Sequence, residues 1–156
     1  MKERKSWREK LANSKDLPKT LVIPAPMEVD ELMRRVPKGK LTTIEHLRAG
    51  LARKHRTTTA CPLTTGIFAW IAAHAAHEAA AEGCANTTPY WRTLKTGGEV
   101  NPKYPGGVEQ QKKLLKAEGH TVVRRGKQYF VAEYEKSLFA DGSASRPYQQ
   151  HGRIRM

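Results

Sequence analysis

From Pro62 to Glu82 the chain reads as one long helix, and everything else must be arranged around it. Pro62 suits a first helical turn, where a missing amide breaks no hydrogen bond, and Gly83 supplies the stop. Ile67, Phe68, Ile71 and Ala75 are the expected buried side. A second helix is expected just upstream. Thr42 followed by Glu45 has the form of a capping box, which starts that helix at Thr43. Leu47 and Leu51 give it a buried face with Ala52 beside them, and Arg48 lies on the other side. Arg56-Thr57-Thr58-Thr59-Ala60-Cys61 then reads as a loop. Two helices joined by a turn, the second entered through Thr64, Thr65 and Gly66, follow helix-turn-helix logic, although this turn is longer than in the compact motif. The expected fold class is α+β and mostly helical, a winged helix-turn-helix domain with one or two small hairpins.

The flanking segments fit that frame. Residues 1–19 are dense in charge and form a basic N-terminal arm, with Trp7 and Leu11 at helical spacing and Pro18 as a stop. Thr20-Leu21-Val22-Ile23 reads as a short strand ended by prolines. From Glu28 a helix is expected with Val29, Leu32, Met33 and Val36 on one side, broken at Pro37-Lys38-Gly39-Lys40. Thr93 to Val100 reads as a hairpin around Gly97-Gly98, the expected wing. A helix over Glu109 to Ala117 turns Leu114 and Leu115 inward, and Thr121 to Val131 forms a second hairpin whose tip, Arg124-Arg125-Gly126-Lys127, is basic. The domain is expected to span 20–136, followed by a basic, disordered tail over 137–156.

Charge narrows the partner class. Lys and Arg outnumber Asp and Glu by 28 to 15, a formal net charge of +13. Such an excess draws polyanions, and nucleic acid leads among them. Cys61 and Cys84 form neither a disulfide framework nor a CxxC pair, which suits a reducing compartment. The N-terminus is charged throughout, and the apolar stretch from Gly66 to Ala76 is interrupted by His74 and too short to span a bilayer. A cytoplasmic protein with no membrane association is expected. Arg53, Lys54, His55 and Arg56 crowd the end of the second helix. They complement its dipole and are equally suited to phosphate contact.

Thr88-Pro89-Tyr90-Trp91-Arg92 and the later Tyr104-Pro105-Gly106-Gly107 carry a resemblance to a known family. Together with Ile23-Pro24-Ala25-Pro26, the stretch from Met27 to Thr43, His46 to Arg53 and Thr64-Thr65-Gly66, they resemble the methylated-DNA–protein cysteine methyltransferases over roughly residues 23–119. Tyr104-Pro105-Gly106-Gly107-Val108-Glu109 through Gly119 resembles the loop and helix that close the pocket in that family. The departures fall on the chemistry. The family's Pro-Cys-His-Arg run carries the alkyl-accepting thiolate and its activating imidazole, whereas this chain has Tyr90 and Trp91 in those slots. A phenol and an indole cannot replace an activated thiol at neutral pH. The non-catalytic alkyltransferase-like branch usually has Trp in the Cys slot and keeps the His; only a one-residue shift would put Trp91 there. Ile44 stands where the family has a phosphate-rotating Tyr, and Leu63 is nearest to the Arg that fills the space of a flipped nucleotide.

The resemblance implies a monomeric, non-catalytic binder of double-stranded DNA, recognising alkylated guanine or distorted duplex for repair proteins, with no cofactor and no metal. The implied DNA-binding residues are Thr43, Ile44, Leu63, Thr64, Thr65, Gly66, Tyr90, Trp91, Arg92, Tyr104, Gly106 and Gly107, with phosphate contacts from Arg53, Lys54, Arg56 and Lys95. Leu63 suits an apolar wedge against a base step. Tyr90 and Trp91 either stack on a base or fill the pocket, and Arg92 either contacts DNA or pins the segment to a helix end. Two alternatives stay open. Cys61, before a helix N-terminus and beside a basic run, is a candidate relocated nucleophile for alkyl transfer. A lesion-independent DNA- or RNA-binding regulator is the other. His74, His77 and Glu78 share a helix face but lack a third metal ligand at a recognisable spacing, so a solvated face is expected. Glu118 matches the carboxylate that orients the family's His, and without that His it is expected to end its helix or pair with a basic neighbour.

Overall fold

The computed structural model describes residues 6–12 and 20–140, and the rest of the expected arm and of the tail lies outside the described residues. The fold is α+β and mostly helical: α1 Trp7–Ala12, β1 Leu21–Val22, α2 Pro26–Arg34, β2 Thr42–Thr43, α3 Ile44–His55, β3 Thr59–Ala60, α4 Pro62–Ala81, β4 Thr93–Leu94, α5 Gly107–Ala117, β5 Val122–Arg125 and β6 Gln128–Val131. The short α1 carries a reciprocal cap, with the Glu9 amide donating to Ser6 Oγ and the Ser6 amide to the Glu9 carboxylate.

Helix α2 starts two residues before the expected Glu28, because Pro26 takes the first helical position. The Glu28 carboxylate accepts from the Ala25 amide at 2.9 Å and pairs with Lys54 and His55, each at 2.7 Å. One side chain therefore caps α2 and ties it to the end of α3. The Lys54 ammonium first, then the Ala25 amide, hold its pKa down at about 2 against an ordinary 4.5. A depressed carboxylate stabilises the fold fully above its ordinary range, and that contribution is lost as pH falls from about 4.5 through about 2. Glu28→Gln should therefore lower stability at neutral pH and flatten its decline in that acid window. Urea midpoints measured across the window check this; an unchanged pH profile would contradict it.

Helix α3 is capped one residue later than the sequence pattern suggests. Thr43, not Thr42, is the N-cap, and its hydroxyl accepts from the His46 amide at 3.3 Å. Thr42 is extended instead, because β2 pairs in parallel with β4, Thr42 opposite Thr93 and Thr43 opposite Leu94. The same pairing corrects the expected hairpin over Thr93–Val100. Strand β4 is occupied by β2, and Gly97-Gly98 form a tight turn closed by the Lys95 amide on the Glu99 carbonyl at 2.8 Å. Gly98 sits at φ +84 with the Tyr134 ring where a Cβ would go, so no side chain fits there. The segment read as a loop before Pro62 contains β3, which pairs in parallel with β1, Leu21 opposite Thr59 and Val22 opposite Ala60. The antiparallel β5–β6 hairpin forms where it was expected.

The largest correction concerns which side of α4 is buried. Thr65, Ala69, Ala72, Ala73 and Ala76 face inward. Of the expected set, Phe68 is half-buried and Ala75 exposed, while Ile67 and Ile71 remain 42% and 45% exposed. The helix is apolar nearly all round, so hydrophobicity alone selects no face. Packing against α2 and α3 selects the small one, because alanines let helices approach closely.

Two clusters make the core. Val29, Met33, Leu47, Leu51, Ala69, Ala73, Tyr90 and Tyr104 form the first, between α2, α3 and α4. Leu41, Leu94, Val100, Leu115 and Val131 form the second, under α5 and the β5–β6 hairpin. Trp91 packs against both. No helix among the described residues is long and apolar enough to cross a membrane.

Candidate nucleic-acid interface

The Thr88–Arg92 segment is held from three sides. The Thr88 hydroxyl, 1% exposed, donates to Asp30 Oδ1 of α2 at 2.5 Å, and Arg34 of the same helix donates to the Asn86 carbonyl. Tyr90–Arg92 then make one turn of 3-10 helix against α4. The Tyr90 ring is 4% exposed, edge-on to Trp91 at 5.4 Å and to Tyr104 at 5.7 Å between centroids. Burial raises the phenol pKa of Tyr90 and that of Tyr104. Neither supplies a phenolate at neutral pH.

Trp91 is half-buried, its carbonyl accepting from Gln111 Nε2 at 3.2 Å. Its indole Nε1 is buried with no hydrogen-bond partner among the described residues. Arg92 turns away from solvent. Its Nε donates to both Glu118 oxygens at 2.9 and 3.1 Å, and Nη1 donates to the Val36 carbonyl at 2.7 Å. Glu118 thus closes an ion pair that joins the Tyr90 turn, the end of α5 and the end of α2.

The remaining implied residues divide by exposure. The β2–β4 pairing sets Thr43 and Ile44 close to this turn in the fold, but Thr43 is 2% exposed and Ile44 packs against the first core cluster. Tyr104 is buried, and Gly106, at φ +78, leads into α5 through Gly107. This loop is strapped to α4, since the Lys103 carbonyl faces Trp70 Nε1 at 3.0 Å and His74 Nε2 at 3.1 Å. That contact accounts for His74, and among the described residues no group of three His, Cys, Asp or Glu is placed to hold a metal.

At the entry to α4, Thr65 is fully buried and its hydroxyl donates to the Cys61 carbonyl at 2.7 Å. Gly66 is half-buried with open space where a Cβ would stand. Leu63 is 70% exposed and, with Ile67, Trp70 and Ile71, forms an outward apolar edge. Cys61 is half-buried beside it, and the Thr64 hydroxyl and amide lower its thiol pKa.

Among the implied phosphate contacts, Arg53 and Arg56 are exposed. Lys54 is engaged by Glu28, and Lys95 lies 3.6 Å from Glu99. Arg53 and Lys54 also line a cleft of about 400 Å³ between α2 and α3. Arg48 is structural: it donates to the Ala60 carbonyl at 2.9 Å and to Thr59 Oγ1 at 3.1 Å, fastening β3 to α3. Sequence reasoning missed Asp30, Gln111 and the Trp70–His74 strap. Only the helical spacing of Gln111 from Leu115 could have pointed to one of them.

No protein-family model matches the chain, and no curated protein does. Among solved structures it is similar to the S. pombe Atl1 complex with damaged DNA containing O6-carboxymethylguanine, and to the S. pombe ATL complex with DNA. In each case identity is 17% and the TM-score 0.48, over 74% of this chain and 94% of the other. Likeness at this level does not carry function from one protein to another.

Proposed function

We propose that the chain is a non-catalytic DNA-binding protein of the alkyltransferase-like type, with a winged helix-turn-helix domain over 20–136 whose α3 and α4 form the helical pair. It recognises alkylated or distorted duplex through the outward edge of α4. The observation that carries this reading is the inversion of α4, which buries its alanines and presents Leu63, Ile67, Trp70 and Ile71 to solvent on a chain of net charge +13. Large apolar side chains on a strongly basic protein suit wedging into a base step while cations hold the phosphates. A distorted or alkylated step unstacks at lower cost than a regular one, which favours damaged duplex. The Tyr90 ring lies in the core, so the reading relies on a wedge on α4 rather than on chemistry at that position.

Leu63→Asp and Ile67→Asp test this. Both side chains are exposed, so the fold should survive while duplex affinity falls at least about tenfold each, measured by fluorescence anisotropy. Unchanged affinity in both variants would remove α4 from the interface. The lowered thiol pKa of Cys61 favours a second reading, alkyl transfer to that thiol. Incubation with alkylguanine duplex is expected to leave the intact mass unchanged. A mass gain abolished by Cys61→Ala would establish the enzyme instead.

A further inference from the structure

The β5–β6 hairpin is outside the interface just described, and its two faces differ. Residues paired across an antiparallel ladder share a face. Val122 with Val131 and Arg124 with Tyr129 make one face, and Val131, Val122 and Tyr129 belong to or pack against the second core cluster. Val123 with Phe130 and Arg125 with Gln128 make the other, and none of these four belongs to either cluster. On that outer face the Arg125 guanidinium lies over the Phe130 ring at 5.5 Å. Arg125 and Gln128 are exposed, as are Arg124 and Lys127 at the turn. Between Gly119 and Ala132 the sequence contains no Asp or Glu, and Glu99, across the bridge from Phe130, is paired with Lys95 at 3.6 Å.

We infer that this outer face binds single-stranded nucleic acid, stacking an unpaired base on the Arg125 guanidinium. A guanidinium plane is itself a stacking surface for bases, and Phe130 behind it fixes its orientation. The Gln128 amide, directly across the ladder, offers a donor and an acceptor to a base edge. Lys127, exposed at the turn, supplies a phosphate contact beside it. Bases within an intact duplex are stacked on each other and cannot reach such a platform, so the ligand is an unpaired strand. A lipid surface fits less well, because the turn from Arg124 to Gln128 offers no large apolar side chain to insert. This inference stands apart from the duplex contact assigned to α4.

The test uses the full chain, a labelled oligothymidylate and a sugar–phosphate strand of equal length without bases, titrated by anisotropy at physiological salt. The base-bearing strand is expected to bind at least about fivefold more tightly, the lower end of stacking on one base. Arg125→Lys keeps the charge and loses the plane, and it should erase that preference while leaving the salt dependence intact. Phe130→Leu should weaken the preference in the same direction. Equal binding of the two strands by the unaltered protein, or a preference that survives Arg125→Lys, overturns the inference. So does competition by anionic vesicles at matched charge. Leu63→Asp separates the two proposals, since it should lose duplex binding and keep the strand preference.

Discussion

Glu118→Ala is expected to destabilise the fold by about 3–5 kcal/mol, the usual cost of removing one partner from a buried ion pair. The Glu118 side chain is 6% exposed and that of Arg92 13%, so neither charge is recovered by solvent once its partner is gone. The loss in Glu118→Ala is the stranded guanidinium, which keeps, among the described residues, the Val36 carbonyl and the Trp91 ring, 5.4 Å from its carbon. Arg92→Ala strands a carboxylate instead and also releases the Val36 carbonyl, so it should cost at least as much. An Arg92→Met, Glu118→Leu double variant removes both charges at similar volume and should cost well below the sum of the single changes. Urea unfolding of the three proteins measures the coupling. Single-variant costs below about 1 kcal/mol would mean the pair behaves as an exposed one.

The second large effect is on binding. Duplex affinity should fall roughly a thousandfold between about 50 and 200 mM salt, as expected for about six phosphate contacts. On the proposed reading that dependence is expected to be uneven. Arg53 and Arg56 are exposed at the end of α3, and replacing either with Ala should reduce the salt slope by about 0.9. Lys54 is held by Glu28 at 2.7 Å, so Lys54→Ala should leave the slope nearly unchanged. Titrations at several salt concentrations decide this. Equal effects from all three would mean that the Glu28 pair opens on binding.

The sequence showed the larger helices better than their surfaces or the strands between them. The extents of α2, α3, α4 and α5 follow from apolar spacing and from Pro and Gly punctuation, and the structure moves their ends by only a residue or two. The buried face of α4 differs from the one its isoleucines suggest for a physical reason. Ala69, Ala72, Ala73 and Ala76 recur at helical spacing as clearly as the isoleucines do, and volume rather than hydrophobicity decided between them. The parallel pairs β1–β3 and β2–β4 were not legible, because strands of two residues have no periodicity and their partners are far away in sequence. Gly97-Gly98 signalled a local hairpin, and the longer-range pairing of β4 with β2 prevailed. Locally, the cap at Thr43 differed by one residue because the strand claims Thr42.

Within the candidate site, the resemblance drew attention to Tyr90, Trp91, Arg92 and Glu118, and both a stacking and a pocket-filling role were open for the two rings. The structure places Tyr90 in the core and Arg92 on Glu118. Asp30 gave no local signal, since its partner Thr88 is reached only through the packing of α2 beneath the Tyr90 turn.

The most direct test compares matched duplexes, one with guanine and one with guanine alkylated at its exocyclic oxygen, binding the unaltered protein at fixed physiological salt. Tighter, fully reversible binding of the alkylated duplex is expected, by about tenfold or more, near 1.4 kcal/mol. Equal affinity for the two duplexes would contradict it.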